Sequence, residues 1–241
     1  MKRSLVGYCL FSFIVIAVLL QGCSKPTDEE IYYEMQKTLS KVESYRCIAD
    51  ITIIGNKAPS SYKAKHIFKS PNKYIIEILE PKDNKGNITL YDGNLAWLYS
   101  PHAEHSFILK DYQQSKEDYL FVGYFLRNFI TTETAQVSFD KIGEEEFFVL
   151  TTEIPSSHKY RKYEKLWINK KNFIPYKLVV FDNNDNISAE VIYSEFKYDI
   201  DIPDDKFNIK TGIDLIKQIW TVSRIKIENG YQYIVIDREE N

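Results

Sequence analysis

From Arg46 onward the chain alternates apolar and polar residues with a period of two, broken by one greasy stretch of helical character. Ile88 to Pro101, ITLYDGNLAWLYSP, shows the pattern most clearly. Asp92-Gly93 supplies a tight turn, because Gly tolerates positive φ and Asp hydrogen-bonds its own backbone. After the turn, Leu95, Trp97 and Tyr99 alternate with Asn94, Ala96 and Leu98. A strand sends alternate side chains to opposite faces, so three large side chains line one face. Pro101 ends the strand or marks an edge.

The elements follow in order. Thr27-Asp28-Glu29-Glu30 fits a capping box, and Ile31, Met35, Leu39 and Val42 recur at helical spacing, which predicts a helix over 28–44. Strands are expected at Ile48–Ile54, Tyr62–Phe68, Tyr74–Leu79, the hairpin, and Ser106–Leu109, as in an antiparallel meander. Ser115 caps a second predicted helix with Tyr119–Ile130 as its body. That body is apolar nearly all round, so it reads as a plug in the concavity of a curved sheet. Strands resume at Phe147–Thr152, Tyr163–Asn169, Ile174–Phe181 and Ile187–Tyr198, with a turn at Asp182–Asn186. Ile213–Val222 reads as a short helix and Tyr231–Ile236 as a last strand.

The N-terminus changes the picture of where this domain works. Lys2 and Arg3 precede an apolar run from Leu5 to Leu20, too short for a stable span and typical of a secretory signal. It ends in Leu20-Gln21-Gly22-Cys23, which resembles a bacterial lipobox. The resemblance implies a signal peptide over 1–22, a covalent diacylglycerol on Cys23, a tether over 23–29, and a domain anchored on the extracytoplasmic face of the cell membrane. An uncleaved anchor or a plain signal peptide is the alternative. Cys47 is then the one thiol left in the mature chain. It reads as a buried small hydrophobe or as the site of an intermolecular disulfide joining a homodimer.

Composition narrows the classes. Aromatics make up 15% of 241 residues, enough for a large β-rich core. The net charge of −3 leaves no basic face for nucleic acid. The excess of Lys over Arg, with frequent Ile, Asn and Tyr, hints at an AT-rich genome. Candidate chemistry is sparse. His102 and His105 would point to opposite faces of a strand, a poor metal pair. His66 and His158 are isolated. Asp182, Asn184 and Asn186 mimic the start of a calcium loop, but Ile187 and Tyr193 stand where that loop needs Gly and Glu. No phosphate-binding loop or nucleophile elbow is present, so no catalytic residue, metal or dissociable cofactor is assigned and no enzyme is expected.

The order helix, strand block, greasy helix, strand block resembles the LolA/LolB superfamily of lipoprotein-localisation factors. Tyr91-Asp92-Gly93, Trp97, Tyr99 and Pro101 match its central hairpin, and Leu166-Trp167-Ile168-Asn169 with Ile174-Pro175 matches a later strand pair. The resemblance covers roughly 30–210 and leaves 211–241 as a C-terminal extension. It implies an α+β, mostly β fold: a strongly curved antiparallel sheet or incomplete barrel with helices over its concave face. Within the superfamily the lipidated plan is similar to the GerS-like germination lipoproteins. These imply a non-enzymatic accessory partner of a cell-wall (cortex) N-acetylmuramoyl-L-alanine amidase in sporulation or germination. An exposed sheet edge or the C-terminal tail would form the interface. The alternative is a carrier or receptor of lipids or lipoproteins, with Trp97, Tyr99, Phe121, Phe125 and Trp167 helping to line an acyl-chain cavity.

Overall fold

The period-two pattern becomes one large antiparallel sheet in the computed structural model, which describes residues 26–54, 58–101, 105–110, 118–208, 220–228 and 231–238. Cys23, His102 and Ser115 lie outside the described residues. Helix α1 (Asp28–Leu39) begins with the expected capping box. Thr27 N–H donates to Glu30 Oε2 at 2.8 Å, and Glu30 N–H donates to Thr27 Oγ1 at 3.2 Å. Asp28, Glu29 and Glu30 complement the positive end of the helix dipole. The helix stops before the expected boundary at 44. Ser44 and Tyr45 are instead extended, paired with Lys69 and Phe68. The contacts of the chain divide at Lys37, and everything from Thr38 onward forms the second unit.

That second unit carries β1 (Ser44–Ile53), β2 (Ser60–Lys69), β3 (Lys73–Glu80), β4 (Ile88–Tyr91), β5 (Leu95–Tyr99) and β6 (His105–Lys110). Then come helix α2 (Val122–Thr131), β7 (Gln136–Ile142), β8 (Glu145–His158), β9 (Arg161–Asn169), β10 (Pro175–Phe181), β11 (Ile187–Tyr198), β12 (Trp220–Glu228) and β13 (Tyr231–Arg238). Among the described residues the thirteen strands form one curved, open sheet in the order β12-β13-β6-β5-β4-β3-β2-β1-β11-β10-β9-β8-β7. Sequential neighbours pair throughout, except where β1 meets β11 and β6 meets β13. The sheet does not close, and β7 and β12 are its two edges.

The organising turn behaves as its residues dictate. Asp92 Oδ1 accepts from Asn94 N–H at 2.8 Å and Leu95 N–H at 2.7 Å, while Gly93 takes φ 102°. At the other turn Asp182 accepts from the backbone of Asn184 and Asn186 at 2.8 and 2.9 Å, so its carboxylate caps a turn.

Three expectations are corrected. Strand β7 was not anticipated at all. The start of the helix expected at Ile213–Val222 lies outside the described residues, and Trp220–Val222 already belong to β12. Finally, α2 is not apolar-packed all round. Phe125 is buried but Ile130 is 74% exposed, because only one side of the helix meets the sheet. Among the described residues no helix is long and apolar enough to cross a membrane.

Candidate functional site

Register decides which side chains share a face. Across β1, β2 and β3, the cross-strand partners Tyr45–Phe68–Tyr74 and Cys47–His66–Ile76 stand in rows on one face. Helix α2 and the residues before it cover this face. The Phe121 ring packs 4.7 Å from both the His66 and Tyr74 rings, and Tyr124 lies edge-on to Phe68 at 5.9 Å. Two hydroxyls anchor the start of the helix, where backbone groups lack helical partners. Tyr193 donates to the Leu120 carbonyl at 2.8 Å, and Tyr45 accepts from Gly123 N–H at 3.4 Å. Gly123 is required by this close approach, since a Cβ there would sit 2.6 Å from the Phe68 ring.

The five residues expected to line one acyl-chain cavity do not come together. Phe121 and Phe125 belong to the helix-covered face and are fully buried. Trp97 pairs with Leu90 and Ile108 on the opposite face, where Tyr99 packs beside them. Trp167 lies on that opposite face too, in a separate cluster with Phe147, Val149 and Val179. Its indole N–H donates to Asp140 Oδ2 at 2.8 Å, and Lys177 Nζ sits 4.3 Å from the ring centroid. The alternation correctly joined Trp97 with Tyr99, but a one-residue step separates Leu166, facing the helix, from Trp167, facing away.

A cavity does exist on the helix-covered face, lined by other residues. It measures about 180 Å³ and is walled by Ile51, Tyr62, His66, Ile76, Ile78, Asn87, Thr89 and Leu120. The paired alanines Ala49 and Ala64, both fully buried, lie alongside and leave room where larger residues would fill the core. Among the described residues, His66 Nδ1 and Asn87 Oδ1 are buried without a hydrogen-bond partner. Burial lowers the His66 pKa to about 4, so its imidazole is neutral. A larger hollow of about 410 Å³ is walled by Thr151, Glu153, Lys162 and Lys165 among others, a polar lining.

Two further buried groups matter. Glu164 on β9 is fully buried, and neither of its carboxyl oxygens has a hydrogen-bond partner of good geometry. Burial pushes its pKa up to about 8, with Asn128 of α2 opposing the shift. Cys47 is 2% exposed and burial pushes its thiol up, away from the reactive thiolate. An intermolecular disulfide at Cys47 would therefore require the covered face of β1 to be uncovered first. Among the described residues no cluster of His, Cys, Asp and Glu could hold a metal ion.

The second candidate surface is the β7 edge. All seven of its residues are exposed, and it pairs with β8 on one side only. Phe139 is 58% exposed, Val137 stands on the same face, and Ile142 adds apolar surface on the opposite face. The sequence signal was the Val137–Phe139 alternation ahead of Gly143, a pattern too short to stand out.

Comparison with known proteins places this geometry in a family. The chain is 23% identical to the sporulation protein YdcC of Bacillus subtilis over 221 residues, 89% of this chain and 63% of that protein. It therefore spans under two thirds of that relative's length. A chain of the Clostridioides difficile complex between the CwlD amidase and the GerS lipoprotein is 31% identical over 73% of this chain and 98% of its own, with a TM-score of 0.45. A LolA superfamily protein from Nitrosomonas europaea is 18% identical over 76% of this chain and 98% of its own, with a TM-score of 0.40. The model of the YdcC-like sporulation proteins matches residues 2–207, and the chain belongs to that family.

Proposed function

We propose that this chain is a membrane-anchored, non-enzymatic lipoprotein that serves as accessory partner to a cell-wall N-acetylmuramoyl-L-alanine amidase during sporulation or germination. The observation that carries the reading is the 31% identity to a chain of an amidase–lipoprotein complex, over 98% of that chain's length. The lipobox at Leu20–Cys23 supports the lipidated role. The β7 edge is the proposed interface, because an unpaired edge with exposed apolar residues offers both backbone hydrogen bonds and side-chain pockets to a partner.

Cavity size ranks this above the carrier reading. The hollow of about 180 Å³ on the helix-covered face falls below the ~300–1,000 Å³ typical of pockets that enclose a drug-sized ligand, and acyl chains of a lipoprotein are larger still. The test is affinity capture of the tagged lipoprotein from its own sporulating cells, with mass spectrometry of proteins and extracted lipids. A stoichiometric wall amidase is the expected result. A bound lipoprotein or acyl lipid with no amidase would overturn the reading.

A further inference from the structure

The polar hollow of about 410 Å³ lies across β7, β8 and β9, and register fixes which side chains face it. Gln136 pairs with Thr151 and Ser138 with Val149, while Thr151 pairs with Lys165 and Glu153 with Tyr163. Val149 and Trp167 stand on the face opposite α2, so alternation puts these six polar and aromatic residues on that face too. Three strands ~4.8 Å apart, with two residues along each, give a footprint of about 10 by 7 Å. Gln136, Ser138 and Glu153 are exposed, and Thr151, Tyr163 and Lys165 are half-buried, so a ligand can reach them. We propose that this groove binds a short stretch of uncharged, N-acetylated polysaccharide. The proposal rests on the amidase partnership, which makes the cell-wall glycan the source of that ligand.

The ligand's chemistry follows from the groups present. The Ser138 and Thr151 hydroxyls both donate and accept, as sugar hydroxyls do, and the Gln136 amide offers both roles. An acetamido group presents one N–H and one carbonyl, which suit the Glu153 carboxylate and the Lys165 ammonium. Those two charges offset each other, and Lys162 at the rim already pairs with Asp185 at 3.7 Å, so an uncharged ligand is matched better than a polyanion. The Tyr163 ring stacks on Phe181 at 4.7 Å and is held as a flat wall for the C–H face of a sugar ring. An acyl chain would desolvate these polar groups and pair with none of them. Ser138 and Phe139 point to opposite faces of β7, so a glycan in the groove and an amidase on Phe139 do not compete.

Tetra-N-acetylchitotetraose is the probe, and cellotetraose, the same linkage without acetamido groups, is its match. The full-length chain, held in phospholipid nanodiscs, is titrated with each by calorimetry. The acetylated sugar should bind saturably, and cellotetraose about ten-fold more weakly, the worth of hydrogen bonds to charged groups. Thr151→Val and Glu153→Gln should each weaken the acetylated sugar about five-fold while the thermal unfolding midpoint stays in place. Both variants should still capture the amidase from sporulating cells. If the acetylated sugar shows no saturable binding, if cellotetraose binds as tightly, or if both variants keep wild-type affinity, the groove proposal falls even where the amidase is captured. Selective sugar binding with no amidase captured would uphold the groove and overturn the partnership instead.

Discussion

Replacing Glu164 with glutamine should abolish a loss of stability that the wild-type protein suffers as pH rises past neutrality. Glu164 is fully buried without a cationic partner, and burial raises its pKa from an ordinary 4.5 to about 8. The folded state therefore keeps a proton that the unfolded state releases. The associated stability is complete below pH 4.5 and is lost as pH rises toward 8. At about 1.36 kcal/mol per pH unit, the whole loss is about 5 kcal/mol. His66 works in the opposite direction, because burial lowers it from 6.5 to about 4. Its contribution is complete above pH 6.5 and is lost as pH falls toward 4. Between pH 4.5 and 6.5 the two slopes cancel. From pH 6.5 to 8 only the Glu164 slope remains, worth about 2 kcal/mol. The buried tyrosines do not interfere, since burial holds Tyr45 and Tyr193 well above the ordinary phenol range. The assay is urea unfolding followed by tryptophan fluorescence at half-unit pH steps. Wild-type stability should fall across that window, and Glu164→Gln should stay level. A wild-type curve that is flat or rising from pH 6.5 to 8 would refute the reasoning, as would a glutamine variant that keeps the fall.

Other outcomes follow from named contacts. Gly123→Ala should destabilise by about 1–3 kcal/mol in thermal unfolding, reversing the usual helix preference for alanine, because the Phe68 ring is held by Tyr45 and Tyr124 and cannot yield. Phe139→Glu on the β7 edge should remove amidase capture yet shift stability by only about 0.5 kcal/mol, as expected for an exposed site. Cys47 should resist thiol reagents in the folded protein and react once urea unfolds it, and non-reducing gels should show monomer. Cys23→Ala should eliminate incorporation of labelled palmitate and release the protein from membranes on fractionation.

The sequence by itself determined the elements. Period-two alternation located most strands, Asp92-Gly93 and Asp182–Asn186 located turns, and Thr27 with Glu30 located a helix start, because each is a local preference written in neighbouring residues. Strand β7 escaped because seven exposed residues carry little alternation contrast. What the elements do together was decided only by tertiary structure. Alternation says that Trp97 and Tyr99 share a face, but not that this face is opposite the one covered by Phe121 and Phe125. That depends on pairing register carried across many strands, a long-range property with no local signature. The cavity is the same kind of fact. Ala49 and Ala64 are unremarked in the sequence, and only their pairing in the sheet places them beside a hollow walled by His66, Asn87 and Leu120.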